Sequence, residues 1–558
     1  MGGGLMQLVA YGAQDTYLSG NPQITFFKVV YRRHTNFSVE PIQQTWNGAA
    51  DFGRTVTCTV NRNGDLITNM YLAVKLAAVT PSTPWGYVNR LGHALVEDLK
   101  IEIGGSKIDE HYGDWLNVWY ELTHKVGQER GYAKMIGDDA NLTQVNLNTK
   151  RAAQLYVPLI FWFNRNNGLA LPLIALQYHD IRVTLKYRDV AQCVNYVGAS
   201  APVLNSLMSD SYLLIDYVYL DSEERKRFAQ ASHEYLIEQL QFTGSESLTS
   251  ASNKYRLNFN HPCKYLIWTP HLERHQNRSN WVSYAFDNNW KQASDNFAKV
   301  LYVATRANVS ASSTSVSVTS SGQGGANSAV AGDVYDALPN NGLAASLAAL
   351  LAKVEVKVVA QSADNAGSTR VAQGADAAST LVDLLNNTVV VNNNLSMEDI
   401  SHTWETLAAL SGVNGNVMNL SKVSVVAQFN YGNFLDGTDN PVVNAKLQLN
   451  GHDRFQARDG AYFNYVQPYQ HFSNTPADGI NVYSFALKPE DHQPSGTCNF
   501  SRIDNATLQV DLGKYNAADS SYVGSFIGTS SNSTVNIWTV NYNVLRVMSG
   551  MAGTAYSN

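Results

Sequence analysis

At 558 residues the chain exceeds the size at which one hydrophobic core keeps growing, so two or more domains are expected. Charged residues make up only 15% and the net charge is -6, which removes the clustered Lys and Arg that wrapping nucleic acid requires and excludes a genome-coating role. Hydrophobic residues reach 44%, and 30 Tyr with 19 Phe favour pleated, half-buried surfaces, so an all-β or β-rich protein is expected.

The opening MGGGLMQLVAYGAQD has neither a basic n-region nor a continuous apolar h-region. No run of about 18 apolar residues follows anywhere, so synthesis and retention in the cytosol are expected. MGGG begins like a myristoylation acceptor, but Met6 stands where that signal wants Ser or Thr. Lys28, Arg32, Arg33 and His34 form one compact basic patch beside Ile24, Phe26 and Phe27. It reads as a strand-edge surface or as an inward arm touching a neighbouring protein or an anionic membrane.

From there the chain alternates. Val56, Cys58 and Val60 mark a strand, Asn63-Gly64 reads as a type I′ hairpin turn, and Leu66 opens the next strand. The segment KIEIGG at 100–105 runs a strand into a Gly turn. A helix is predicted over 114–125, where Trp115, Val118, Trp119 and Leu122 keep i, i+3, i+4, i+7 spacing. Ile181, Val183 and Leu185 alternate in another strand, and residues 212–220 close the half with a long apolar one.

The same order then recurs. Tyr255, Leu257, Phe259 and Leu266 repeat the first pair, KLQLNG at 446–451 repeats KIEIGG, Leu508, Val510 and Leu512 repeat the third element, and residues 535–545 repeat the last. Four elements in shared order indicate a duplication, hence two antiparallel sandwiches or jelly rolls. Between them DSEERKRFAQ at 221–230 reads as a charged connecting helix with Ser222 as its cap. From about 305 to 395 the composition shifts to Ala, Ser, Asn, Gly and Val. This is an insertion in the second copy, and strand-like Val354, Val356, Val358 and Val389 to Val391 predict a small folded tower. Another helix is predicted from Ser396, with Asp399 completing the capping pattern.

No catalytic constellation emerges. His233-Glu234 begins the HExxH pattern, but Ile237 occupies the second His position. GxSxG, a Walker loop and a strand-following GxGxxG are absent, and adjacent carboxylates such as Asp138-Asp139 read as solvated surface. Cys58, Cys193, Cys263 and Cys498 lie far apart without a CxxC pair, which argues against zinc and a disulfide scaffold and predicts buried free thiols. No metal and no cofactor are expected. Asn277, Asn308, Asn386 and Asn394 head sequons in and around the insertion and are candidate glycosylation sites.

Five stretches carry a resemblance: LVAYGAQDTYLSGNPQITFFKVVYRRHTNF, YVPLIFWFNRNNGLALPLIALQYHDI, HEYLIEQLQFTGSE, QPSGTCNFSRIDNATL and YNVLRVMSGMAGTAY. In them the chain resembles the major capsid proteins of nucleocytoplasmic large DNA viruses, especially the algal phycodnaviruses. The insertion departs from that pattern in being longer than is usual for the family. The resemblance implies an all-β double jelly roll: two tandem eight-stranded antiparallel jelly rolls, with short helices in loops and a long insertion in the second. The expected division is an arm over 1–24, a first jelly roll over 25–220, a linker over 221–232 and a second jelly roll over 233–558.

The resemblance further implies a homotrimer forming a pseudo-hexagonal capsomer that tiles an icosahedral virion shell with neighbouring capsomers, assembled in the host cytoplasm. The N-terminal arm with Lys28, Arg32, Arg33 and His34 would face inward, toward minor capsid proteins and an internal viral membrane. The outer loops would meet host surface glycans, and no direct contact with nucleic acid is expected. Trp115 and Trp119 are candidates for the trimer interface, with core packing as the rival reading. A jelly-roll glycan-binding lectin, a minor or vertex-specific capsid paralogue and, last, a glycosidase are the competing functions.

Overall fold

The computed structural model describes residues 3–80, 85–125, 127–143, 149–196, 204, 207–248, 250–272, 284, 354–361, 369–373, 419–427, 440–516, 521–523 and 532–556. Eight principal strands build the first half: β1 (Phe37–Thr45), β2 (Thr55–Thr59), β3 (Leu66–Leu76), β4 (Val96–Ile103), β5 (Ser106–His111), β6 (Ala153–Pro158), β7 (Ile181–Tyr187) and β8 (Met208–Leu220). They pair antiparallel into two sheets of order β1-β8-β3-β6 and β2-β7-β4-β5. Eight more follow: β9 (His233–Ser247), β10 (Ser252–Arg256), β11 (Pro262–His271), β12 (Val442–Leu449), β13 (His452–Asp453), β14 (Asn481–Ser484), β15 (Ala506–Leu512) and β16 (Thr534–Met548). Their sheets run β9-β16-β11-β14 and β10-β15-β12-β13, the same order with every index raised by eight.

This is a jelly roll made twice, and the repeated sequence elements fall on equivalent strands. KIEIGG lies on β4 and its turn, and KLQLNG lies on β12 and its turn. Both turns need two residues at positive φ: Gly104 (57°) and Gly105 (82°) in one, Asn450 (50°) and Gly451 (82°) in the other. In β7 the apolar Ile181, Val183, Leu185 and Tyr187 are buried while Arg182 and Lys186 are exposed, so period-2 patterning selects the inner face. Each aliphatic side chain buried this way contributes roughly 1.5–3 kcal/mol.

Asn63-Gly64 departs from its predicted hairpin. Neither residue has positive φ, and β2 and β3 belong to different sheets, so the segment carries the chain from one layer of the sandwich to the other. Its glycine is required by close approach instead: a Cβ there would stand 2.9 Å from Cβ of Tyr217.

The helix predicted over 114–125 is α1 (Gly113–Thr123). The joint forms α2 (Ser222–Gln230), whose N-cap is Asp221 rather than Ser222. Helix α2 is tied back by Arg225, whose guanidinium lies 2.9 Å from Asp65. Of the insertion, Val354–Gln361 and Thr369–Gln373 are strands, and the former also pairs with Asn419–Ala427. Val389 to Val391 and the helix predicted from Ser396 lie outside the described residues.

Candidate assembly surfaces

The two jelly rolls are welded inside the subunit by α1. Its apolar stripe, Trp115, Val118 and Leu122, belongs to one buried cluster with Tyr265 and Ile267 of β11, Val482 of β14, and Trp538 and Val540 of β16. Rings interlock there: Trp115 lies 6.1 Å from Trp538, which stacks at 4.0 Å on Phe242. Trp115 retains 2% exposure. Its assignment to the trimer interface is therefore corrected: the second jelly roll covers this face of α1 within one chain, because an amphipathic helix buries its stripe on the nearest apolar sheet. Trp119 is half-buried, with the Arg165 guanidinium 4.8 Å above its ring, and stays at the rim.

Polar contacts fix the register of the weld. The carboxylate of Asp109 at the end of β5 accepts the Leu240 N–H of β9 at 3.0 Å, and Gln239 donates to the Ile108 carbonyl. These bonds satisfy two edge strands that would otherwise be left open. Glu121 of α1 pairs with Arg90 and accepts the Ala477 N–H at 3.1 Å, while Asn474 N–H donates to the Leu122 carbonyl at 3.1 Å. Glu238 of β9 lies 2.9 Å from Lys264 of β11 and 3.0 Å from Arg165 of the first jelly roll. Burial works to raise the Glu238 pKa, but Arg165 and Lys264 hold it below the ordinary glutamate value. The C-terminal hairpin after β16 closes the seam: Gly550 accepts the Tyr178 N–H at 3.0 Å, and Leu545, Val547 and Ala552 join the core of the first jelly roll.

The outer surfaces look different. Residues 3–36 form short helical turns and extended chain with no side chain buried. Tyr17 is 92% and Phe27 98% exposed, and Ile24, Phe26, Val29, Val30 and Tyr31 are nearly as open. Single exposed apolar residues are ordinary, but a contiguous run of this size marks an interaction segment. Lys28, Arg32, Arg33 and His34 lie within it, in extended chain ahead of β1 rather than on a strand, and exposed. Strand β1 is itself a sheet edge and leaves Phe37 and Val39 open.

Among the described residues no cluster of His, Cys, Asp and Glu could hold a metal ion. His233-Glu234 lies on β9, and Glu234 pairs with Arg546 at 2.9 Å. Asn277, Asn308, Asn386 and Asn394 all lie outside the described residues. No sequence signal marked Glu238, Asp109 or Trp538, because each acquires its role only from a partner distant in the chain.

Residues 25–221 match the family model described as the major capsid protein N-terminus, and residues 224–553 match that of the large eukaryotic DNA virus major capsid protein. The chain is 43% identical to the major capsid protein of Phaeocystis pouchetii virus, with 100% of both chains covered. It is 40% identical to capsid protein 1 of Acanthamoeba polyphaga mimivirus and 38% identical to the major capsid protein of Paramecium bursaria Chlorella virus 1, again over 100% of each. The solved structure of PBCV-1 VP54 is 33% identical and superposes with a TM-score of 0.61, covering 96% of this chain and 100% of that one. The Faustovirus major capsid protein shares the fold at a TM-score of 0.59 and 12% identity.

Proposed function

The chain belongs to the major capsid protein family of large eukaryotic DNA viruses, and we propose that it enters their icosahedral shell as a homotrimer, a pseudo-hexagonal capsomer. Its role is structural, and its place is the virion shell beside neighbouring capsomers. The observation that carries the trimer is the repeated strand order in two rigidly joined jelly rolls. Three such chains present six like units around a three-fold axis, so one duplicated subunit approximates hexagonal tiling.

The remaining roles are those the family resemblance implies, and for the arm the exposed apolar and basic residues support it. The apolar and basic arm, with Lys28, Arg32, Arg33 and His34, reaches inward to minor capsid proteins and an internal membrane. The insertion over 305–395, with sequons at Asn308, Asn386 and Asn394 and Asn277 just ahead of them, is the segment proposed to carry glycans or to meet host glycans. Assembly takes place in the host cytoplasm. Trp119 at the rim of the weld remains the aromatic candidate for a contact between subunits.

Light scattering coupled to size exclusion tests the trimer. The expected species has about three times the 61.3 kDa of one chain, and a clean monomer at high concentration overturns the reading. Trp119→Ala with the trimer intact would remove Trp119 from the contact. Omitting residues 2–35 is expected to change unfolding stability by no more than about 0.5 kcal/mol, since the arm buries nothing within the subunit. The same truncated capsomers should fail to rejoin the inner protein layer of stripped virions, and normal rejoining would refute the arm's role.

A further inference from the structure

The four cysteines look unrelated in sequence, yet two of them are neighbours. Cys263 is the second residue of β11, and the short strand Cys498–Asn499 pairs antiparallel with it, in a register that sets Cys263 directly opposite Cys498 and Pro262 opposite Asn499. Directly opposed residues of an antiparallel pair hold their Cα atoms about 4.5–5.5 Å apart, inside the range of about 4.4–6.8 Å that a disulfide spans. The two side chains also share a face. Cys263 is a buried member of the second jelly roll's core, and Cys498 packs against that same cluster from a half-exposed position.

The geometry points to a latent cross-strand disulfide between Cys263 and Cys498, an oxidisable dithiol built into the second jelly roll. The oxidant is a small-molecule or protein disulfide. The Cys498 thiolate attacks one of its sulfurs and expels the other as a thiol, leaving a mixed disulfide on Cys498. Cys263 then gives up its proton and attacks Cys498 Sγ, forming the Cys263–Cys498 bond and releasing the second thiol. Two protein thiols are oxidised, one external disulfide is reduced, and the two protons leave on the two released thiols.

The order of attack follows from environment. Burial pushes the Cys263 thiol up to about 12, a hydrogen bond with Thr539 works against this, and the neighbouring Cys498 adds to it. Cys498 is raised mainly by burial but is the half-exposed partner, so it meets the oxidant first. The Phe500 N–H donates to the His261 carbonyl at 3.1 Å, two rungs along, which makes the cysteine rung a hydrogen-bonded one. Cβ atoms at such rungs stand at the wide end of the spacing, so the bond closes under strain and belongs to the readily reduced class. It would close a loop over everything between Cys263 and Cys498, the entire insertion included, and leave Cys58 and Cys193 untouched in the first jelly roll. The inference concerns the chain's own chemistry and does not depend on the trimer.

The test uses the folded full chain with oxidised glutathione as the probe, followed by alkylation, digestion and mass spectrometry without reductant. The expected result is a single linked peptide pair carrying Cys263 and Cys498, a fall from four to two titratable thiols, and a raised melting temperature that dithiothreitol reverses. Cys498→Ser should abolish all three changes. Cys263→Ser should stop at a stable glutathione adduct on Cys498, and since Cys498→Ser alters a half-exposed side chain it serves even if the buried variant folds poorly. Four free thiols after treatment, a glutathione adduct on wild-type Cys498 that does not resolve, or linkage between two chains would each overturn the proposal.

Discussion

Replacing Glu238 with Ala is expected to cost about 3–5 kcal/mol of stability, the loss seen when one partner of a buried ion pair is removed and the other remains. Lys264 is fully buried and reaches across β16 to the Glu238 carboxylate, with the Tyr542 ring 5.3 Å from its Nζ. Without Glu238 this ammonium has no counter-charge in the sheet, and Arg165 loses the anchor that holds it between the jelly rolls. Denaturant unfolding at neutral pH reads the loss as an earlier midpoint. The double substitution Glu238→Leu with Lys264→Met should recover most of it, because the buried charge goes with its partner. A Glu238→Ala cost below about 1 kcal/mol would show that water reaches Lys264.

The same carboxylate predicts an acid limit. Its folded-state pKa is depressed below the ordinary 4.5, so its contribution is fully present above that value and disappears as pH falls through the folded value. Glu238→Gln should therefore flatten the loss of stability below pH 4.5, and an unchanged acid profile would remove Glu238 from that role.

Trp538→Ala is expected to have a comparable effect, about 3–5 kcal/mol, by opening a cavity in the weld. Trp538 is buried on β16 against Trp115, Phe242 and Tyr112, from α1, β9 and the residue ahead of α1, so truncation removes the piece that both jelly rolls share. Calorimetry should then resolve two transitions in place of one, with α1 losing protection from hydrogen exchange first. A single transition with an unchanged midpoint would mean that the polar seam through Asp109, Glu121 and Glu238 suffices to couple the halves. Trp119→Ala, at the half-buried rim, should cost distinctly less than either.

Much of this architecture is legible in short stretches of the sequence. Alternation at Ile181, Val183 and Leu185 marks a one-sided strand, and KIEIGG with KLQLNG mark two strands running into turns, at which the structure has positive φ. Those signals are local: side-chain period and turn chemistry act over a few residues, and so they survive in any reading of the chain. The paired order of four such elements carried the duplication, and the helical spacing of Trp115, Val118 and Leu122 carried α1.

The partners of these elements were not legible. Asn63-Gly64 has the composition of a hairpin turn, but the jelly-roll crossing sends β2 and β3 to opposite sheets, and a dipeptide holds no record of which sheet follows. Trp115 and Trp119 share one helix face by spacing, yet only the docked second jelly roll buries the first and leaves the second at the rim. Cys263 and Cys498 are separated by the whole insertion and become opposed only through strand register. The strands, the positive-φ turns at 104–105 and 450–451 and the repeat can be read from the residues alone, because they depend on contacts a few residues long. The weld, the buried charges and the cysteine pair arise only on folding, because burial and opposition depend on which distant strand arrives alongside.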